Sequence, residues 1–272
     1  HADPKLLNRE LLGKQQFRKT DKMSVEQFQT IINQLQGRVI AVSLFYYGDP
    51  LIHPDIDKMI AIARAAKLEV HITTHFSYNY TEERIKRLID SGLSHITVAV
   101  DGATQESYQV TRARGRLEWV LANLKMVMAY KRAHQLKYPI VEVQHLSFPH
   151  HAKGELAEVR KIAGDIGADA FATYEGLRLD SKGEQFNVVD FDDPREDNTT
   201  QPLPRVLVPR CHWPYSGTVI RYDGAVIPCC LWRVGRQYVP ASERDPHTLG
   251  NVFEEDLAKI WNSKRYRALR EQ

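Results

Sequence analysis

Three cysteines, Cys211, Cys229 and Cys230, are the only thiols in the sequence, and they crowd into the stretch CHWPYSGTVIRYDGAVIPCC. Cys211 and Cys229 flank Gly224 in a C-x12-G-x4-C spacing. Thiolates are the ligands of soft metals and iron–sulfur clusters, but a four-iron cluster takes four of them. A cysteine pair at the two ends of a hairpin coordinates a metal only with further ligands arriving from elsewhere.

A second set of candidates sits where apolar runs end. These are YYGDP (Tyr46–Pro50), TTHFS (Thr73–Ser77), VDGA (Val100–Ala103), QHLSF (Gln144–Phe148) and TYE (Thr173–Glu175). In repeated β/α units, catalytic groups collect at the C-terminal ends of the strands. Gly48 allows close approach to the backbone, and Asp49 beside it suits a ligand ammonium group; the same Gly48-Asp49-Pro50 also reads as a tight strand-to-helix turn. FPHH (Phe148–His151) offers two neighbouring histidines without a third ligand, which argues against zinc there. His71, His95 and His145 fall inside strands, where a histidine is usually packed rather than ligating.

The rest of the chain must position these groups. It has 272 residues, 43% hydrophobic and 26% charged, with 37 basic and 34 acidic side chains for a net charge of +3. That balance excludes the basic stripe of a nucleic-acid binder. No apolar run reaches the roughly 20 residues that cross a bilayer, and three cysteines do not make a secreted disulfide framework. The expectation is a cytoplasmic protein with neither nucleic-acid nor membrane partners.

Apolar runs alternate with amphipathic stretches. Strands are predicted at Arg38–Tyr46, Leu68–His75, Ser94–Val100, Tyr138–Phe148 and Gly167–Glu175. Helices are predicted between them, one opened by Thr81 and closed by Gly92, and the longest at Arg116–His134. Strand–helix–strand crossovers make the sheet parallel. Residues 176–210 read as a linker. After Cys211 comes a β-hairpin with Asp223-Gly224 as a two-residue turn, then one terminal helix through EEDLAKIWNSKRYRALR.

Taken in order, these segments resemble the radical S-adenosylmethionine (radical SAM) enzymes that carry a C-terminal SPASM or twitch auxiliary-cluster domain. GDPLIHPDI is similar to their GGEPLLHPDL, and ITTHFSYNYTEERIKRLIDSGLSHITVAVDGATQESYQVTRARG resembles their TTNG…LIDSGL…VSIDGAT…RRGG stretch. The cysteine stretch resembles CxxPW…DGxVxPCC, and LGNVFEEDLAKIWNSKRYRALR resembles LGNIFEESLEEIWNSEKYRELR.

The resemblance implies a partial (β/α)6 TIM-like barrel over residues 1–175, a linker over 176–210, and a small β-hairpin-plus-helix auxiliary Fe–S domain over 211–272. It implies a [4Fe–4S] cluster whose C-x3-C-x2-C ligands lie at or before His1, outside this sequence. It also implies an auxiliary Fe–S cluster with Cys211, Cys229 and Cys230 among its ligands and a further C-x2-C beyond Gln272. The implied activity is reductive cleavage of S-adenosylmethionine to a 5′-deoxyadenosyl radical that abstracts hydrogen from a C–H bond. The substrate would be a small molecule or peptide, and the electron donor one such as flavodoxin or ferredoxin.

Residue by residue, Gly48, Asp49 and Pro50 match the segment facing the ammonium group, with Asp for the usual Glu and Tyr47 for the first Gly. Thr74 and His75 match the TN step near the cofactor, with His for Asn. Ala99 stands where many members have Ser. Arg112 matches an arginine suited to a carboxylate; its other reading is a helix-surface ion pair. By position alone, Gln144, His145, Tyr174 and Glu175 would face the substrate. The substitutions at Tyr47, Asp49 and Ala99 are also what a non-catalytic binding or scaffold relative would carry. A cluster-free barrel such as an aldolase ranks last, because no lysine stands at the strand ends.

Overall fold

The computed structural model describes residues 22–46, 48–148, 150–175, 177–179, 185–187, 212–230 and 248–270. Cys211 and Tyr47 lie outside the described residues.

The first helix, α1 (Val25–Leu35), begins at a reciprocal cap. The Gln27 N–H donates to Ser24 Oγ at 3.1 Å, and the Ser24 N–H donates to Gln27 Oε1 at 2.9 Å. Phe28, Ile31, Ile32 and Leu35 fall on one face and are buried. The chain then alternates: β1 (Ala41–Ser43), α2 (Ile56–Ala65), β2 (Glu69–Thr74), α3 (Glu82–Asp90) and β3 (His95–Ala99). Two helices, α4 (Gln105–Thr111) and α5 (Leu117–Ala133), precede β4 (Ile140–Ser147), and α6 (Glu155–Ile166) leads to β5 (Ala170–Glu175). Thr81 caps α3, accepting from the Arg84 N–H, and Gly92 ends it at φ 92°, as the sequence predicts.

The five strands form one sheet in the order β1-β2-β3-β4-β5, every neighbouring pair parallel. This is the α/β architecture the sequence implies, with a parallel sheet of five strands among the described residues. The register sorts side chains by face. Thr74 pairs with Val98, Val98 with Val143, and Val143 with Phe171. Arg160 of α6 lies over the Phe171 ring at 5.0 Å, so this is the helix-covered face. Val70, Ile72, Ile96, Val98, Val141 and Val143, all at most 1% exposed, fill it; such side chains contribute about 1.5–3 kcal/mol each. The opposite face carries His71, Thr73, Thr97, Glu142, Gln144 and Tyr174.

Beyond β5 the structure departs from the sequence reading of an unstructured linker. Residues Leu177–Leu179 (β6) and Gln185–Asn187 (β7) pair as an antiparallel ribbon. Two compact units result, one from Ser24 through this ribbon, the other from His212 to Arg270.

In the second unit, α7 (Trp213–Ser216) precedes β8 (Val219–Ile220) and β9 (Ala225–Ile227), and β10 (Gly250–Asn251) adds antiparallel to β9. The β8–β9 hairpin forms, but its loop has three residues rather than two. The Arg221 N–H donates to the Ala225 carbonyl (2.9 Å) and the Gly224 N–H to the Arg221 carbonyl (3.0 Å), so Tyr222, Asp223 and Gly224 make the turn. Gly224 sits at φ 82°, the bulge glycine of a three-residue hairpin. The predicted single terminal helix is two, α8 (Leu257–Trp261) and α9 (Lys264–Arg270). Asn262 ends the first, and Ser263 Oγ accepts the Tyr266 N–H at 3.2 Å to start the second.

Candidate functional site

The C-terminal strand ends of the first unit are tied together by buried carboxylates. Asp49 follows β1, where Gly48 at φ 91° turns the chain. Its side chain, 3% exposed, points inward. Oδ1 accepts the Leu51 N–H (2.9 Å), capping the short turn that starts at Pro50. Oδ2 accepts the Thr74 hydroxyl (2.7 Å) and the His75 N–H (2.8 Å) at the end of β2. Asp49 and Thr74 are therefore joined directly, by a bond to each other. His75 Nδ1 accepts the Ser77 N–H at 3.0 Å, so its neutral ring carries the proton on Nε2, 3.5 Å from Asp49 Oδ2. Burial lowers the His75 pKa, against the pull of the Asp49 carboxylate.

Asp101 repeats the device one crossover on. It is fully buried, and its Oδ1 accepts the Leu146 N–H from β4 at 3.0 Å. Oδ2 takes two bonds from Arg112, Nε at 2.7 Å and Nη2 at 2.6 Å. Arg112 follows α4, and its side chain is 21% exposed. The ion-pair reading of Arg112 is thus realised, with a partner inside the strand ends rather than on a helix surface. Glu155, at the start of α6, makes a third tie, accepting the Ala103 N–H (2.9 Å) and the Ala152 N–H (3.0 Å). Burial raises its pKa, but the hydrogen bonds from Ala103 and Ala152 help to outweigh that and hold it low.

The four positions proposed to face a substrate separate by the pleat. Gln144 and Tyr174 stand on the open face, and Tyr174 is exposed. His145 lies on the helix-covered face and is fully buried. Its Nδ1 donates to the Val100 carbonyl at 2.8 Å, and its ring stacks on His151 at 4.9 Å. His151 spends both nitrogens on the loop: Nδ1 accepts the Phe148 N–H (3.1 Å) and Nε2 donates to the Asp101 carbonyl (3.2 Å). Glu175 ends β5, paired with Ser147. Asp101 was not singled out in the sequence; the signal was an Asp-Gly ending a buried strand, eleven residues before an arginine.

In the second unit, Cys229 and Cys230 follow β9 and are half-buried. Among the described residues no group of three or more His, Cys, Asp or Glu side chains could hold a metal by itself.

Residues 8–158 match the radical SAM superfamily, and residues 211–272 match the iron–sulfur cluster-binding domain SPASM. The chain belongs to the radical SAM superfamily. It is 24% identical over 242 residues to the tungsten-containing aldehyde ferredoxin oxidoreductase cofactor-modifying protein of Pyrococcus furiosus, covering 80% of this chain and 66% of that protein. Its fold is similar to Streptococcus suis SuiB bound to the precursor peptide SuiA, with TM-score 0.68, 13% identity, and 96% of this chain on 62% of that one. It is also similar to BtrN in complex with AdoMet and 2-DOIA, with TM-score 0.50, 15% identity, and 93% of this chain on 75% of that one. The radical SAM chain thus spans about two thirds or less of the Pyrococcus relative and of SuiB. These likenesses show the fold.

Membership implies S-adenosylmethionine, a [4Fe–4S] cluster and auxiliary Fe–S clusters. Residues 1–210 contain no cysteine, so they do not supply the thiolates of a cofactor-binding cluster. An auxiliary cluster fits the second unit better. That unit holds Cys229 and Cys230, and an Arg270 whose buried Nη2 has no hydrogen-bond partner among the described residues. The Asp49 carboxylate is already occupied by the Leu51 and His75 N–H groups and the Thr74 hydroxyl.

Proposed function

We propose that the chain is the core of a radical SAM enzyme that reductively cleaves S-adenosylmethionine and abstracts hydrogen from a C–H bond of a small molecule or peptide, assisted by an auxiliary Fe–S cluster. The observation that carries this reading is the ledge at the strand ends. Asp49 ties the ends of β1 and β2, and Asp101, held by Arg112, ties those of β3 and β4. Bound iron–sulfur centres would supply the electron for cofactor cleavage. The chain's own residues would orient the cofactor. Gly48 would let it lie close to the backbone, with Pro50 fixing the turn, and Thr74 and His75 would shape the neighbouring wall. Arg112 would offer Nη1 to the carboxylate while Asp101 holds the guanidinium plane. Asp49 would act by positioning the Gly48 turn.

Gln144 and Tyr174 would meet substrate on the open face, and His145 would serve from behind by holding Val100. Glu175 is proposed on strand-end position alone. Cys211, Cys229 and Cys230 would be thiolate ligands of the auxiliary cluster. We place the domains at 1–175 and 211–272, joined through 176–210. The setting would be cytoplasmic, with reduced flavodoxin or ferredoxin as electron donor. Among the described residues no helix is long and apolar enough to cross a membrane.

The test is anaerobic reconstitution of the full-length protein, followed by iron and sulfide analysis and assay of 5′-deoxyadenosine after S-adenosylmethionine and dithionite. About eight irons, from two four-iron clusters, with 5′-deoxyadenosine, is the expected result. Absence of both iron and cofactor cleavage would sink the proposal and favour a scaffold role.

A further inference from the structure

The last described helix carries an arginine with one buried nitrogen that meets no hydrogen-bond partner among the described residues. Arg270 lies over two rings, its guanidinium carbon 4.4 Å from the Trp261 centroid and 4.7 Å from that of Tyr266. Its Nε donates to the Pro214 carbonyl at 2.8 Å, and the Tyr215 hydroxyl donates to the Arg270 carbonyl. Nη2 is buried and meets no hydrogen-bond partner among the described residues. A buried donor left unanswered is costly, and more so on a charged group.

The surroundings say what would answer it. The Tyr266 hydroxyl donates to the Gly217 carbonyl at 3.2 Å. The hairpin pairs Val219 with Ile227 and Ile220 with Val226, and Thr218 Oγ1 donates to the Ile227 carbonyl at 2.8 Å. Continuing that register by two residues sets Gly217 opposite Cys229. The Tyr266–Arg270 stack therefore stands at the hairpin end that carries Cys229. Pro214 and Tyr215, which Arg270 also grips, follow Cys211 by three and four positions.

We propose that Arg270 is the counter-charge of an anionic iron–sulfur cluster in this unit, its Nη2 donating to a cluster or cysteinyl sulfur. This rests on the cluster reading above. Hydrogen bonds and charge at the sulfurs are among the determinants of a cluster's potential, and a guanidinium favours the more negative, reduced state. A role confined to helix packing makes a different forecast, because stacking and the Pro214 bond need no cluster.

The full-length protein and its Arg270→Gln and Arg270→Lys variants would be reconstituted. Each would be analysed for iron and sulfide, for thermal stability, and by EPR-monitored redox titration of the cluster signal that S-adenosylmethionine does not alter. Expected is a shift of that midpoint to more negative potential in Arg270→Gln, or loss of about four irons from the one four-iron cluster, with Arg270→Lys close to the parent. The proposal is overturned if both variants keep the parent potential and iron content. It is equally overturned if both lose iron only in proportion to a shared loss of thermal stability. A parent protein with no such signal would instead remove the cluster reading itself.

Discussion

Removing the Arg112 guanidinium is the sharpest test of how the strand ends are held. Asp101 is fully buried and takes two charge-assisted bonds from Arg112 at 2.6 and 2.7 Å, and one N–H from Leu146. Arg112→Met would leave that carboxylate with the Leu146 N–H alone. Breaking a buried pair from one side costs about 3–5 kcal/mol. Because the Arg112 side chain is itself 21% exposed, the low end applies, about 3 kcal/mol. Asp101→Asn keeps one acceptor oxygen but turns an amide N–H₂ against donors, for about 2–3 kcal/mol. Since both variants break the same bonds, the double variant should cost less than their sum by about 2 kcal/mol. Urea unfolding followed by circular dichroism gives the four free energies, and Arg112→Met should lower the melting temperature by about 6–12 °C. Additivity within about 0.5 kcal/mol, or a cost for Arg112→Met below about 1 kcal/mol, would refute this account of the pair. Titration with S-adenosylmethionine then separates the second role: Arg112→Lys should bind it at least about tenfold more weakly, a difference of about 1.4 kcal/mol.

Three further outcomes follow from the same geometry. Asp49→Asn and Thr74→Val should show a coupling of about 1.5–3 kcal/mol in unfolding measurements, the value of one hydrogen bond to a buried charge, and independence of the two would contradict the bond between them. Burial and the neighbouring His95 push the His71 pKa down from 6.5 to about 4. The unfolded chain therefore binds the extra proton in that interval, and stability present above about pH 6.5 should fall as pH drops toward about 4. In His71→Gln the dependence of the urea midpoint on pH should flatten over that window. Ser263→Ala removes the oxygen that starts α9 and should cost about 1 kcal/mol, read as a lower urea midpoint; no change would mean that the α8–α9 break does not depend on the cap.

Much of the fold was legible because its signals are local. Thr81 and Gly92 bracket α3 by capping chemistry, and alternating burial in Val70, Ile72 and Thr74 follows the strand period. The errors were local too. Gly224 was read as the second residue of a two-residue turn, although a three-residue loop uses a glycine in the same left-handed conformation. Asn262-Ser263 carries a stop and a start within one hydrophobic pattern, and the pattern concealed both. The site was less legible, because sequence motifs give proximity to a ligand but not direction. Nothing in Gly48-Asp49-Pro50 says that the carboxylate turns inward. That follows from Thr74 and His75 arriving 25 and 26 residues later. Likewise Gln144 and His145 are neighbours in sequence, and the pleat sends them to opposite faces.

The inward turn of Asp49 has a thermodynamic consequence. A loop that is already closed on its own backbone has paid its ordering entropy during folding, so a ligand arriving at the Gly48 turn finds it in place. Association should then be fast and affinity set mainly by the dissociation rate, with a heat-capacity change set by the surface the ligand covers rather than by any coupled folding. A longer acid at this position would reach outward and exchange that rigidity for a direct contact, so Asp or Glu here selects between a prepared ledge and a grasping one.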